Sequence, residues 1–151
     1  MRGVEFSVGA VRSVLVVLAI VASVLAAGET AAKAEKDEVG IELNKLSSDA
    51  AGCQAYFVFD NHGAADYAKL KIDLVVFNTE NVFERRYSMS VAPLAAKKRK
   101  LRMFELKTME CDQICSLLIN GVFECQQGNR TKKDCAERLV PSIRVDVELT
   151  K

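Results

Sequence analysis

The chain has little of the material from which active sites are built. It has one histidine and no tryptophan, and its eight glycines are scattered rather than grouped in a phosphate-binding loop. A catalytic triad or a Cys-His pair could use only His62, which lies in the turn-forming segment 60–63. We therefore expect His62 to be an exposed surface residue, and we expect neither an enzyme nor a cofactor.

The spacing of the five cysteines does not suit zinc. Cys111 and Cys115 lie four positions apart and Cys125 and Cys135 ten, so the chain has no pair of the C-x-x-C type that zinc knuckles use. We expect no metal site.

The chain also lacks a surplus of either charge. It has 21 Lys and Arg against 20 Asp and Glu, and without residues 1–27 each total is 19. Proteins that bind nucleic acid rely on an excess of Lys and Arg to neutralise phosphates. We therefore expect no nucleic acid partner.

The N-terminal residues have the pattern of a secretory signal. Arg2 and Arg12 precede an uncharged apolar run over residues 14–27, which is shorter than the roughly 20 residues of a membrane-spanning helix. We expect a signal peptide at 1–27, cleavage between 26 and 34, and a mobile leader at 28–39. No adjacent arginine pair precedes the run, which favours the general secretory route to the periplasm and no membrane span after cleavage; an uncleaved anchor is the alternative.

The remaining residues predict an all-β fold. Apolar residues recur at every second position, separated by turn-forming residues, and no sustained helical period follows the signal. The seven strands lie within segments 41–46, 53–59, 70–76, 83–91, 101–106, 117–122 and 143–149, with Asn120-Gly121 as a bulge or tight turn. We expect a seven-stranded, immunoglobulin-like two-sheet sandwich with disulfides over residues 40–151, although the immunoglobulin tryptophan is absent.

All five cysteines follow the signal, which indicates disulfides formed in an oxidising compartment. In an immunoglobulin-like topology, the start of strand two lies near the end of strand five. We therefore expect Cys53 to pair with Cys111, with Cys115 as the alternative partner, and Cys125 to pair with Cys135. Cys115 then remains as a free, buried and inert thiol.

Segments along most of the mature chain carry a resemblance. They are IELNKL, CQAYFVFDN, LKIDLVVFNTENVFERRYSMSVAPL, KLRMFEL, CDQI, LLINGVFEC, DC and PSIR. With them the chain resembles a group of small, mostly uncharacterised exported proteins of alphaproteobacteria, often labelled Tat pathway signal sequence domain proteins. Residues 74–78 also resemble immunoglobulin-like modules with an FxLYD motif. The resemblance implies a periplasmic β-domain and no particular activity.

Two charged features remain as candidate surfaces. The first is a basic patch that could bind an anion or an acidic partner, or could instead protect a strand edge from pairing. It comprises Lys97, Lys98, Arg99, Lys100 and Arg102. The second is the pair Asp73 and Glu84, which alternate with core positions on a hairpin, so we expect both to face solvent.

The function expected from these features is non-catalytic. We expect an exported periplasmic β-sandwich that binds a protein or another envelope component through end loops or an exposed strand edge. The alternative is a carrier that holds a lipid or small apolar ligand between its two sheets.

Overall fold

The computed structural model describes Gly3 and residues 37–151. The expected signal peptide, its cleavage region and most of the leader lie outside the described residues. By internal contacts the chain divides into residues 1–34 and 35–151, and all the strands given below belong to the second unit. Among the described residues, no helix has the length and apolar character needed to cross a membrane.

The fold is an all-β sandwich of two packed sheets, as the sequence predicts. Sheet A has the strand order β5-β2-β1-β8, and sheet B has the order β4-β3-β6-β7, with β9 pairing with β6 as well. The strands of the described chain are β1 (Val39–Asp49), β2 (Gly52–Asn61), β3 (Tyr67–Asn78), β4 (Phe83–Ser90), β5 (Arg99–Lys107), β6 (Ile114–Gln127), β7 (Arg130–Thr131), β8 (Leu139–Ile143) and β9 (Glu148–Thr150).

The core forms where the alternating apolar residues of the two sheets face each other. Four side chains of β3 are at most 2% exposed, namely Leu70, Ile72, Leu74 and Val76. On β2, the Phe57 and Phe59 rings lie 6.2 Å apart, and Phe104 of β5 meets Phe57 edge-on at 5.9 Å. Aromatic pairs in these geometries add to the free energy of burial, so this cluster anchors β5 to the core.

The last predicted strand is divided between the two sheets, and the short β7 lies outside the expected segments, which together makes nine strands rather than seven. β8 pairs in parallel with β1 in sheet A, and β9 pairs in parallel with β6 in sheet B. Ile143 is 49% exposed on β8, whereas Leu149 is buried on β9. The single strand expected over 143–149 is therefore wrong, because alternation reports which face a residue occupies but not which sheet its strand joins.

Two disulfides fasten the sandwich, in the pairing expected from the sequence. Cys53 bonds to Cys111, with their Cα atoms 4.9 Å apart, and Cys125 bonds to Cys135 at 6.4 Å. Cys115 is free, but it is exposed and not buried as expected. The register of β3 and β6 shifts at this point, so Cys115 is the extra residue of a bulge and its side chain leaves the core face.

A buried asparagine holds the loop that leads from sheet B to β5. Asn61, which is fully buried, donates from Nδ2 to the carbonyl oxygens of Ala65 (3.0 Å) and Ala95 (3.1 Å). Its Oδ1 accepts from the backbone N–H of Gly63 at 3.0 Å. Because a buried amide needs such partners, the Asn61 contacts fix where the crossover meets sheet A and where β5 begins.

Candidate functional site

Strand β5 forms one outer edge of sheet A. It pairs with β2 from Gly52 opposite Lys107 to Asp60 opposite Arg99, and no strand of the described residues pairs with its other side. An edge of this length presents a row of unpaired backbone donors and acceptors, which is the template that β-augmentation uses.

The backbone hydrogen bonds show which residues of β5 have free groups. The N–H of Asn61 donates to the carbonyl of Lys98 at 3.0 Å, and the N–H of Thr108 donates to the carbonyl of Ala51 at 3.3 Å. In an antiparallel pair, residues bonded to the partner strand alternate with residues whose groups point away. The N–H and C=O groups of Leu101, Met103 and Glu105 therefore point away from β2.

The same residues carry apolar side chains into solvent. Leu101 is 58% exposed and Met103 is 45% exposed. In the register of the sheet, they lie beside Val58 and Tyr56 of β2, both half-buried on the same outer face. We call Leu101, Met103, Val58 and Tyr56 the β5 strip. It combines an apolar surface with unpaired backbone groups.

Charged residues border the β5 strip. At one end, Arg99 Nε lies 3.2 Å from Asp60 Oδ2, and at the other, Lys107 Nζ lies 3.6 Å from Glu105 Oε2. Lys45 Nζ lies 5.6 Å from the centre of the Tyr56 ring on a third side. An apolar centre with a polar rim is the usual anatomy of a protein interface.

The sequence predicts a strand within 101–106 but does not separate its two faces. Phe104 and Leu106 do face inward, but Leu101 and Met103 face outward. Apolar residues occupy both parities in this segment, so its pattern alone leaves the orientation open. Lys100 and Arg102 reach inward positions because the edge of a sandwich lies close to solvent and to the crossover loop.

The five residues of the predicted basic patch do not form one cationic face. Arg99 pairs with Asp60, whereas Lys97 donates from Nζ to the His62 carbonyl at 2.6 Å. The inward residues Lys100 and Arg102 donate to carbonyls of the crossover loop, and Lys98 is exposed. Burial, and then the neighbouring Arg102 charge, lowers the pKa of Lys100. The concentration of charge in the sequence is thus dispersed in the fold.

Strand β4 is the outer edge of sheet B, and its outward residues Arg86, Ser88 and Ser90 are polar, whereas Phe83 at its first position is 58% exposed. The N–H of Val91 donates to the carbonyl of Leu70 at 2.9 Å, which by the same alternation leaves the backbone groups of Arg86, Ser88 and Ser90 pointing away from β3. No strand of the part that the structure describes pairs beyond them. This edge lacks the apolar centre of the β5 strip.

A buried carboxylate holds the arginine of this edge. Arg86 donates from Nε and Nη2 to the two oxygens of Asp73, each at 2.6 Å, and Asn120 Nδ2 donates to Asp73 at 2.6 Å. The hydrogen bond from Arg86, helped by that from Asn120, lowers the pKa of Asp73. Asp73 is only 3% exposed, so the expectation that it faces solvent is wrong, whereas Glu84 is exposed as expected. Sequence spacing does not show the partners that bury it.

His62 lies at the surface with the Asp60 carboxylate beside it. The His62 side chain is 57% exposed, and its Nδ1 lies 3.9 Å from Asp60 Oδ1. Within residues 37–151, no three His, Cys, Asp or Glu side chains are arranged to hold a metal ion.

Comparisons with known proteins bear on the fold alone. Neither a family model nor a curated protein matches the chain. A solved structure of IrmA from Escherichia coli is similar, with a TM-score of 0.50 and 12% identity over 69% of this chain and 90% of that chain. At this identity the likeness supports the two-sheet architecture, and the resemblance to exported alphaproteobacterial proteins stays a prediction.

Proposed function

We propose that this protein is a non-catalytic binding protein of the periplasm, in which the free edge of β5 pairs with an extended segment of a protein partner. The observation that carries the proposal is the coincidence on Leu101 and Met103 of exposed apolar side chains with unpaired backbone groups. Main-chain hydrogen bonds would supply affinity, and alternate side chains of the partner would supply specificity.

The chemistry of the β5 strip defines the partner segment. It is an extended stretch with apolar residues two positions apart, which pack on the apolar centre formed by Leu101 and Met103. Beyond them come polar or oppositely charged residues, which suit the ion pairs at Arg99 and Glu105.

Export supports this role. The proposed signal at 1–27 directs the chain through the general secretory route, and the two disulfides are of the kind that persists in an oxidising compartment. A periplasmic location would place the β5 strip within reach of other exported chains and envelope proteins.

No observation on the described residues specifically favours the alternative of a lipid or small-ligand carrier. The facing surfaces of the two sheets carry fully buried side chains, including Phe57, Phe59 and Leu74. A carrier needs an apolar space between its sheets, and in the described chain these side chains fill the contact instead.

Site-specific photocrosslinking in cells that export the protein tests the proposal. Benzoylphenylalanine is placed at position 101 or 103 of β5 and, as matched controls, at position 88 or 90 of β4. We expect adducts of one defined mass at 101 and 103, and none at 88 or 90. The substitution Met103→Pro should abolish the adduct at 101, because it removes a free N–H without touching the pairing with β2.

Two results would overturn the proposal. One is crosslinking of equal yield from β4 and β5, which indicates non-specific contact. The other is an adduct at 101 that survives Met103→Pro, because strand pairing at the edge requires that N–H. Intact mass of the periplasmic protein tests export separately, and an N-terminus retained before residue 26 contradicts signal cleavage.

A further inference from the structure

A basic cleft lies at the other sheet, beside the Cys125–Cys135 disulfide. It has a volume of about 420 Å³, within the roughly 300–1,000 Å³ typical of small-molecule sites. Its walls include Lys69 of β3, Phe123 of β6 and the segment 131–133. The cleft shares no residue with the β5 strip.

The walls of the cleft are held in place by covalent and backbone bonds. The Cys125–Cys135 bridge ties β6 to the loop that carries Lys132 and Lys133. The N–H of Lys132 donates to the carbonyl of Cys125 at 3.0 Å, and Arg138 binds Asp134 in the same loop. A site built before its ligand arrives avoids the entropic cost of ordering a loop on binding.

Positive charge in the cleft exceeds negative charge. Three lysines line it, against the single carboxylate of Glu124, which lies 4.0 Å from Lys69 and 3.6 Å from Lys71. Among residues 37–151, no carboxylate lies within 4.0 Å of the ammonium of Lys132 or Lys133. Asp134, the nearest acid in sequence, is occupied by Arg138. The Arg138 hydrogen bond, and to a smaller degree the charge of Lys132, lowers the pKa of Asp134. Lys132 and Lys133 therefore line the cleft without an ion pair to a carboxylate of the described residues.

An aromatic ring stands beside these cations. Phe123 is the extra residue of a β-bulge, since Lys71 pairs with Glu124 and Ile72 with Val122, and its ring is 51% exposed. The Arg86 guanidinium lies 5.2 Å from the ring centre, and the Asp73 carboxylate holds that guanidinium. The ring is thus fixed on one side, and it contributes an apolar surface to the cleft.

We propose that this cleft binds a phosphorylated sugar, with the phosphate between Lys132 and Lys133 and the apolar face of the sugar ring against Phe123. Two lysines that line one cleft suit a phosphate, and Thr131 and Gln126 supply polar atoms for sugar hydroxyls. The same chemistry occurs in a soluble sugar phosphate and in the phosphorylated headgroup of an envelope glycolipid.

Nuclear magnetic resonance titration with N-acetylglucosamine 1-phosphate tests the proposal. We expect saturable shifts confined to the amides of segment 122–136 and of Lys69. N-acetylglucosamine and inorganic phosphate should each bind at least about tenfold more weakly, because each engages half of the cleft. The double variant Lys132→Gln/Lys133→Gln should lose at least about tenfold in affinity, since both charge-assisted contacts go.

Two further variants separate a built site from general charge. Lys98→Gln/Lys107→Gln removes the same charge from sheet A and should leave the titration unchanged. Phe123→Leu should weaken the sugar phosphate and leave inorganic phosphate unaffected. All variants change partly or fully exposed side chains, and an unchanged amide spectrum outside the cleft verifies that they fold.

Two outcomes of these titrations would contradict the proposal. Non-saturating shifts, or equal loss in the two double variants, would show charge attraction alone and overturn the site. Equal affinity for inorganic phosphate and the sugar phosphate would overturn the role of Phe123.

Vesicles with and without a phosphorylated glycolipid distinguish the two sources of the ligand. Vesicle binding that Lys132→Gln/Lys133→Gln blocks assigns the headgroup, and binding to the soluble probe alone assigns a free sugar phosphate. Neither arm depends on the β5 strip.

Discussion

The two outer strands of this sandwich, β4 and β5, both have unpaired backbone groups and differ in the side chains that border those groups. Both β4 and β5 end their sheets, and both leave backbone groups unpaired at every second residue. On β4 those residues are Arg86, Ser88 and Ser90, whereas on β5 they include Leu101 and Met103. Natural sheets protect their edges with charged and polar residues. From Arg86 to Ser90 β4 follows this rule, whereas β5 departs from it at Leu101 and Met103.

The placement of arginine accounts for the difference. On β4, Arg86 lies over the outer face because the buried Asp73 binds it with two hydrogen bonds. On β5, Arg102 turns inward and donates to the carbonyls of Val91 and Ala92. The cations that would protect β5 are thus used to hold the crossover loop. The protection of a sheet edge therefore depends on the direction in which its charged side chains point, and not on their number.

Removing a disulfide gives the largest expected effect. Cys53–Cys111 closes a separation of 58 residues and joins β2 to the segment just after β5, whereas Cys125–Cys135 closes 10 residues in sheet B. Loop entropy predicts a loss of about 4 kcal/mol for Cys53→Ser/Cys111→Ser and about 3 kcal/mol for Cys125→Ser/Cys135→Ser. Urea unfolding measures both. A larger loss of unfolding free energy in Cys125→Ser/Cys135→Ser would contradict this order, in which the bridge next to β5 contributes more stability.

Proline scanning along β5 gives the next largest effect and tests its register. Arg102 lies opposite Phe57 in a hydrogen-bonded pair, so Arg102→Pro should cost about 2–3 kcal/mol by breaking the ladder with β2. Met103→Pro should cost less than about 1 kcal/mol, because its N–H already points outward. Ser88→Pro is the control on β4 and should behave like Met103→Pro. Equal losses at 102 and 103 would mean that the assigned alternation is wrong.

Acid should affect the β4 edge through Asp73. Because hydrogen bonds lower the pKa of Asp73 in the folded state, its stabilisation is present above the ordinary value of 3.8 and is lost as pH falls through the lowered value. Asp73→Asn should therefore flatten the fall in unfolding free energy below about pH 4. Ser88→Ala, the uncharged neighbour across the strands, should keep the wild-type pH profile. An unchanged pH profile in Asp73→Asn would show that the Asp73 carboxylate does not cause the loss of stability in acid.

The smallest effect is expected from the β5 strip itself. Leu101→Thr/Met103→Thr should change the unfolding free energy by less than about 0.5 kcal/mol, since both side chains already face solvent. The same double variant should lower the fluorescence of a hydrophobic dye bound to the protein. A large loss of stability would place these residues in the core and leave no strip for a partner.

Much of the fold could be predicted because β2 and β3 alternate cleanly, as a half-buried strand must. The topology, which brings the start of strand two to the end of strand five, favoured Cys111 as the partner of Cys53 and left Cys115 as the alternative; the structure has Cys53–Cys111. The division of 143–149 between two sheets could not be predicted, because period two is the same in either sheet.

The candidate sites were harder to predict than the fold. The sequence places Leu101 and Met103 in a strand, but only the register with β2 shows that they face outward. The anion or partner patch expected at the basic run stays a prediction, although Lys100 and Arg102 donate to backbone carbonyls of the crossover loop, which the sequence did not show. The exposed position of Phe123 depends on a β-bulge, and no pattern in a single sequence locates such a bulge.

Amide hydrogen exchange along β5, in the free protein and in the complex captured by crosslinking, tests whether β5 is a free edge that pairs with the partner. In the free protein, the amides of Leu101, Met103 and Glu105 should exchange faster than those of Lys100, Arg102 and Phe104. In the complex, the first three should become protected while the β4 amides of Arg86 and Ser88 stay unchanged. Uniform protection along β5 before binding, or protection on β4 instead, would contradict the account.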